Sequence, residues 1–445
     1  MSEGAQEVSA TEIRVCTVAG LTPQGQAFIN ENNYDVWIQG NFLPGDRIRV
    51  EFDGKHRPKA VEMVEPSPDR VKPDCFFYGP CGGCDLLELS EKGRKKEKQA
   101  MIKRALEKIE GGSSAKLKPF IAARELIRYR PRVRLHQSRN HEEREAGFLA
   151  SEAYSEKVPG GVVPVTSCAI ITTRLNQRLV AIRNILNHMP IFLENLTLMS
   201  SSSEHSDKVV GHAMLIKGKS PGFYHKELMK IMRAGQLKGL TVSGPDGKVK
   251  EAHGDASVTG LIAPGCHGGP FEAEPSFFVQ SNIFQNIVLI KKVIEYCKPE
   301  KDVRIVEGFC GAGNFTIPLA AAGANVEAVE SHPGAMRAAR KNLFQSKFNE
   351  KVKLIDGDAI KELGKLDPEP DVLLLDPPRT GTPGIGRTVK ALKPNTIVYV
   401  FCDLDSMVKD SNAIIHSGYR LEEVTGIDLY PRTHHVEAVC RFIKA

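Results

Sequence analysis

The sequence predicts an α/β protein of three domains: an N-terminal OB-type β-barrel over residues 1–66, a central α+β domain over 67–280, and a C-terminal Rossmann-like domain over 281–445. Three observations carry this expectation. From residue 281 onward, apolar strand-like runs alternate with helical stretches, the pattern of a parallel sheet covered on both sides. Before residue 66, about five short strand-like runs are separated by turns, the pattern of a small barrel. Between them lies a segment without a clear period, headed by three clustered cysteines. The length of 445 residues is itself too great for one ordinary domain.

In the first region the strand-like runs are residues 13–15, 25–29, 35–38 and 47–52, with Leu43-Pro44-Gly45-Asp46 as a turn. A barrel of this kind is a common nucleic-acid platform. Pro66-Ser67-Pro68-Asp69 reads as a linker. The formal charge of +6 fits an RNA partner without requiring one. No apolar run reaches the ~18 residues of a membrane-spanning helix, and the first residues lack a signal-peptide apolar core, so a cytoplasmic protein with no membrane partner is expected. No obligate protein partner is evident. Ten cysteines in so long a chain do not form a disulfide scaffold.

The middle region begins with Cys75, Cys81 and Cys84 in the spacing C-x5-C-x2-C, with Cys168 distant. Gly79-Pro80 and Gly82-Gly83 supply turns tight enough for thiolates to converge, and four thiolates suit zinc or an iron–sulfur cluster; the spacing does not choose. Residues 91–109 have helical spacing and many lysines. Arg128, Arg130, Arg132 and Arg134 recur at period two, which places them on one face of an extended segment, either a phosphate-binding row or a solvated face. Residues 200–204, Ser-Ser-Ser-Ser-Glu, read as an exposed loop.

In the last region a helix is expected over 282–296. Strands are expected over 303–307, 325–330, 352–356, 372–376 and 396–401. Every candidate site residue of this region lies at a strand's carboxyl end or just beyond it, where such sheets bind ligands. The run Glu307-Gly308-Phe309-Cys310-Gly311-Ala312-Gly313-Asn314 is a strand, a glycine turn and a helix start. Gly311 and Gly313 allow close backbone approach to a ligand. Glu330 ends the following strand, about 20 residues on, where an acid can bind ribose hydroxyls. Asp376-Pro377-Pro378 leaves the sheet as a rigid acidic loop of the type that faces flat rings. Cys402 ends the run 397–401, and Glu437 follows two histidines. A thiol, a carboxylate and a nucleoside pocket in one domain point to methylation of a pyrimidine carbon. Carbon 5 of uracil is a poor nucleophile and needs a covalent cysteine adduct at C6 to activate it.

These motifs together resemble the RNA (uracil-5-)-methyltransferase family, specifically its 23S rRNA branch with an N-terminal TRAM domain. The carriers are Cys75-x5-Cys81-Gly82-Gly83-Cys84, Phe309 to Thr316, Asp376-Pro377-Pro378-Arg379, Cys402 and His435-Val436-Glu437. The resemblance implies a [4Fe–4S] cluster on Cys75, Cys81, Cys84 and Cys168. It implies S-adenosyl-L-methionine contacts from Gln280, Phe309, Asn314, Glu330, Asp358 and Asp376, with Cys402 as nucleophile and Glu437 as the base. It implies an RNA partner, 23S rRNA ahead of tRNA. A non-catalytic RNA-binding iron–sulfur protein is the rival from another class. The chain departs from the family in having Glu307 where Asp is usual, Phe401 before the cysteine where Ser is usual, and Asp403-Leu404 where Asn-Pro is usual.

Overall fold

A computed structural model describes residues 12–31, 34–52, 58–138, 144–190, 192–202, 206–260 and 271–445. Among the described residues, no helix is long and apolar enough to cross a membrane. The C-terminal region centres on seven strands, β1 (Arg304–Gly308), β2 (Asn325–Glu330), β3 (Val352–Asp356), β4 (Val372–Leu375), β5 (Thr396–Phe401), β6 (Tyr419–Ile427) and β7 (Glu437–Lys444). Their order across the sheet is β3-β2-β1-β4-β5-β7-β6, and the segment Lys116–Leu117 adds an eighth, parallel edge beyond β6. Strands β1 to β5 are mutually parallel, while β7 runs antiparallel between β5 and β6. All five expected strands occur within a residue of their expected bounds.

The central strands β4 and β5 bury both faces, so their sequences are nearly continuous apolar runs. In β4, Leu373 and Leu375 face one core while Val372 and Leu374 face the other. In β5, Ile397, Tyr399 and Phe401 alternate in the same way with Val398 and Val400. One face is covered by α4 (Ile283–Cys297), α5 (Thr316–Ala321) and α6 (Pro333–Ser346). The other is covered by α7 (Ala359–Leu363), α8 (Ile385–Leu392), α9 (Leu404–Ile415) and, from far upstream, α1 (Glu91–Glu107). Helix α4 starts where the Asn282 side chain accepts the Phe284 and Gln285 N–H groups. It buries Leu289, Ile290, Val293, Tyr296 and Cys297, an i, i+3, i+4 stripe.

Helix α1 is lysine-rich, yet Lys98 is fully buried and donates to Asp428 at 2.7 Å and to the Tyr430 carbonyl at 2.8 Å. Removing Asp428 would leave a buried ammonium unpaired, a change that costs about 3–5 kcal/mol. Thus α1 and Lys116–Leu117 pack on the C-terminal sheet although they precede the central one in sequence.

The central sheet has seven strands in the order Val162–Val163, Ala146–Leu149, Arg132–Gln137, Leu193–Ser200, Val209–Leu215, Gly239–Ser243 and Val249–Gly254. Helices α2 (Thr173–His188) and α3 (Pro221–Ala234) cover it. Two expectations change here. Ser200 and Ser201 are buried, with Ser200 Oγ 2.8 Å from Thr172 Oγ1, because β-pairing carries the chain inward to Ser200; Ser203 and Glu204 lie outside the described residues. The arginine row is also broken. Arg128 has φ +55°, off the extended path, and Arg132 donates to the Phe277 and Pro275 carbonyls rather than facing solvent.

The N-terminal region is β-rich. Among the described residues its hydrogen bonds define two three-stranded antiparallel sheets, Glu12–Thr17 with Arg47–Phe52 and Lys59–Glu65, and Gly20–Leu21 with Ala27–Glu31 and Tyr34–Trp37, rather than one closed ladder. The expected linker is anchored. Ser67 N–H donates to Asp46, whose carboxylate also takes two bonds from Arg70.

Candidate active site

The strand order reverses between β1 and β4, and the crevice at such a switch point is where open α/β sheets bind ligands. The glycine loop leaves β1 there. Gly311 and Gly313 have φ of +57° and +96°, and Phe309 holds +64° although it carries a side chain. A bulky residue in the left-handed region costs about 1–3 kcal/mol. Glu330, at the end of β2, accepts the Gly311 N–H at 2.9 Å and the His332 N–H at 2.6 Å, so its carboxylate pins the glycine loop from beneath. Asn314 pairs reciprocally with Asn286 of α4, at 2.8 and 3.1 Å. Asp358, after β3, caps α7 by accepting the Lys361 N–H.

Among the described residues, two buried polar atoms of this crevice have no partner, Gln280 Oε1 and Glu307 Oε1. Gln280 Nε2 donates to Asp376 at 3.3 Å, and Thr316 donates to the other Glu307 oxygen at 2.7 Å. Burial drives the Asp376 carboxyl up to about 7 against the pull of the Gln280 bond. It drives Glu307 up to about 8, with Asp376 and Glu330 adding repulsion. Unsatisfied buried acceptors at a switch point are what a polar ligand would complete.

Cys402 and Glu437, 35 positions apart in sequence, come close enough for the carboxylate's charge to act on the thiol. Strand β7 pairs with β5 so that Ala438 lies opposite Phe401; extending that antiparallel register by one residue sets Glu437 across from Cys402. Burial pushes the Cys402 thiol up to about 12, with Glu437 and Asp376 repelling the thiolate and Arg379 favouring it. Glu437 is buried and held well above the usual carboxylate range by burial first and Asp376 second, with Arg379 again opposing. Arg379 therefore faces both reactive groups, a role that its place after Asp376-Pro377-Pro378 could have signalled but that the sequence pattern did not assign. It donates to His435 Nε2 at 2.8 Å, and burial with the adjacent His434 and Arg379 drops the His435 ring to about 3, so it stays a neutral acceptor.

The family departures beside Cys402 have local explanations. Asp403 caps α9 by accepting the Ser406 N–H at 2.8 Å. Leu404 is buried in the core, and Phe401 stacks on Tyr399 at 3.8 Å. None of these side chains displaces the thiol or the carboxylate.

The four cysteines also converge. Cys81 is pushed up to about 11 by burial, then by Cys168 and Cys75; Cys84 and Cys168 are raised by burial and by other members of the group. Backbone N–H groups of Ile170 and Ile171 point at the Cys168 sulfur, and that of Gly83 at Cys81. No three of the four sulfurs lie within 4.8 Å of one another, whereas a tetrahedral zinc would hold its thiolates about 3.8 Å apart. Among the described residues, three other donors meet on the outer strand of the central sheet and α3: His225, Glu251 and His253. There the 3.2 Å contact between His253 and Glu251 is that of an ordinary hydrogen bond.

The sequence profile of the tRNA (Uracil-5-)-methyltransferase family matches residues 270–444. The 23S rRNA (uracil(1939)-C(5))-methyltransferase RlmD of Shewanella baltica is 30% identical over 431 residues, spanning 92% of this chain and 90% of the relative. The same enzyme of Shewanella woodyi is 29% identical, spanning 96% and 94%. In fold, the chain resembles the Pyrococcus abyssi tRNA (uracil-54, C5)-methyltransferase, solved with S-adenosyl-L-homocysteine. The TM-score is 0.68 at 20% identity, over 97% of this chain and all of that one.

Proposed function

The chain belongs to the RNA (uracil-5-)-methyltransferase family, and from that premise we propose that it methylates carbon 5 of a uridine in 23S rRNA, in the cytoplasm, through a covalent adduct on Cys402. The observation that carries this reading is the β5–β7 register. It ends at the Phe401–Ala438 pair, one residue short of the thiol and of the buried carboxyl on neighbouring strands, which supports their acting together. The Cys402 thiolate forms a bond to C6 of a uracil turned out of its stack, and the displaced electron pair makes C5 nucleophilic. S-adenosyl-L-methionine supplies the electrophilic methyl group and leaves as S-adenosyl-L-homocysteine. Glu437 takes the C5 proton, the C5–C6 double bond re-forms, and Cys402 is expelled. Cys402 and Glu437 are both held protonated in the free protein, so each must first release its proton to solvent, and Arg379 together with the cofactor's sulfonium charge favours their ionised forms. Gln280, Phe309, Gly311, Gly313, Asn314, Glu330, Asp358 and Asp376 hold the cofactor, a role supported by the unpaired acceptors of the crevice.

The rRNA branch is favoured over the tRNA branch because the rRNA relatives match nearly end to end at about 30% identity. Residues 1–66 then serve as the TRAM-type RNA-binding unit, 67–280 as the cluster-bearing domain and 281–445 as the catalytic domain. Mapping 5-methyluridines in rRNA and tRNA from a strain lacking the protein tests the assignment. Loss at a 23S rRNA uridine is expected; loss confined to tRNA would move the protein to the other branch.

Cys75, Cys81, Cys84 and Cys168 would hold a [4Fe–4S] cluster, a group with a folding or RNA-binding role in this reaction. Protein purified without oxygen should be brown, with about four irons per chain, and Cys81→Ala should lose both iron and stability, because metal binding is coupled to folding. Stoichiometric zinc without iron would contradict this.

Cofactor binding should be linked to protons. In the free protein Asp376 and Glu307 are raised to about 7 and 8, so between roughly pH 4 and these values the folded state holds protons that the unfolded state has lost. Stability therefore falls as pH rises through that window. A sulfonium cation set among these carboxyls favours their ionised forms. Affinity for S-adenosyl-L-methionine should thus rise from pH 6 to 8, by up to about tenfold per pH unit for each proton released. S-adenosyl-L-homocysteine, neutral at sulfur, should show a shallower slope by calorimetry, and equal slopes would count against the carboxyls facing the sulfonium.

A further inference from the structure

The connection from β6 to β7, residues 428–436, delivers His435 and Glu437 to the site, and its anchors come from a distant part of the sequence. Arg432 is buried, and its guanidinium makes two parallel bonds to Asp74, at 2.7 and 2.8 Å, with a third to the Leu126 carbonyl at 2.9 Å. The Arg432 carbonyl accepts the N–H groups of Asp85 and Leu86 at 3.2 and 3.1 Å. Asp85 in turn accepts the His434 N–H at 2.8 Å and pairs with the His434 ring. Asp74 immediately precedes Cys75, and Asp85 immediately follows Cys84. The two ends of the cysteine loop therefore grip residues 432 and 434, just ahead of the carboxylate.

We propose that the cysteine loop is a positioning part of the active site, with Asp74–Arg432 and Asp85–His434 as the clamp that sets Glu437 against its proton. A bidentate arginine–carboxylate pair fixes direction as well as distance, unlike a flexible ion pair. At Arg432 the geometry is backed by burial and by its own carbonyl, so the residue is held on both sides of its Cα. Cys402 follows β5 and leads into α9, so it takes its position from the sheet and not from this clamp. The two reactive groups are thus placed by separate means. Loosening the clamp should disturb proton removal while sparing thiol addition. A displacement of about 1 Å at a reacting group costs on the order of 10²-fold.

This inference rests on the covalent reading above, and the experiment separates the two. Asp74→Ala, Arg432→Ala and the double variant are compared with wild type as the full, iron-loaded protein. Turnover should fall about 10- to 100-fold, with KM for S-adenosyl-L-methionine and iron content unchanged. The double variant should be no worse than the weaker single one, and Asp74→Glu, which can still bind in two-pronged fashion, should recover most of the rate. On ordinary RNA the variants should accumulate methylated RNA–protein adduct. On RNA carrying 5-fluorouridine they should trap adduct as fast as wild type. Asp85→Ala, which loosens the other end of the clamp, should give the same pattern and serves if the Arg432 variant does not fold. Wild-type turnover in the Asp74 and Asp85 variants, or slowed trapping on the fluorinated RNA, overturns the clamp. Absence of any adduct with wild-type protein on fluorinated RNA overturns the covalent reading instead.

Discussion

Cys402→Ala should abolish methyl transfer, lowering turnover by roughly 10⁴-fold or more, the scale seen when an enzyme loses its nucleophile. The cause is electronic. Without a sulfur at C6, C5 of uracil gains no enolate character, and the methyl group has no nucleophile to move to. The half-buried thiol sits past the end of β5 in a place that alanine also fits, so folding should be little affected, with a loss within about 1.5 kcal/mol. Binding of cofactor and RNA should persist, because neither the glycine loop nor the β4 exit loop depends on the thiol. The measurement is transfer of labelled methyl to RNA, paired with calorimetry for the cofactor. The adduct formed by wild type with 5-fluorouridine RNA must vanish in the variant. Turnover or an adduct band retained by Cys402→Ala would refute both the nucleophile and the carbon-methylation chemistry.

Glu437→Gln should fail at a later step and leave a visible trace. Thiol addition and methyl transfer do not need the carboxylate, but loss of the C5 proton does, and without it Cys402 cannot be expelled. Methylated adduct should therefore build up and survive denaturing electrophoresis on unmodified RNA, while turnover falls by about 10²–10⁴-fold, the usual range for a general base. The substitution is nearly isosteric and removes the ionisable group whose burial holds it far above the ordinary carboxylate range, so the variant should be at least as stable as wild type at neutral pH. A Glu437→Gln enzyme that turned over normally would place the base elsewhere. An inactive one that formed no adduct would mean that Glu437 also serves the addition step.

Much of this site is legible in the amino-acid sequence, because local patterns report local geometry. The runs at β4 and β5 are apolar almost throughout, the pattern of a strand buried on both faces. The glycines after β1 and the prolines after β4 mark where the backbone must turn. Those signals placed the glycine loop, Glu330, Asp376 and Cys402 at strand ends, and the cysteine spacing marked a cluster, while Asp358 came from the family resemblance alone. The arginine row and the serine run misled for a common reason. Residue type predicts an exposed face on average, but Arg132 is turned to the Pro275 and Phe277 carbonyls, and Ser200 lies inside a sheet.

What the sequence by itself determined was which chemical groups exist and which strand end carries most of them; Glu437, expected at a carboxyl end, instead opens β7, because that strand runs antiparallel to β5. What only the tertiary structure decided was who faces whom. Glu437 reaches Cys402 because β7 runs antiparallel between β5 and β6, a placement fixed by long-range backbone hydrogen bonds and a shared core. Lys98 meets Asp428, and Asp74 meets Arg432, across more than 300 residues of chain. The raised pKa values of Glu307, Asp376 and Glu437 likewise exist only after folding, since desolvation and neighbouring like charge are properties of a packed site and not of a residue type. Periodicity acts over a few residues and leaves its mark in sequence; pairing across a sheet acts at any separation, and a single sequence carries no local record of it.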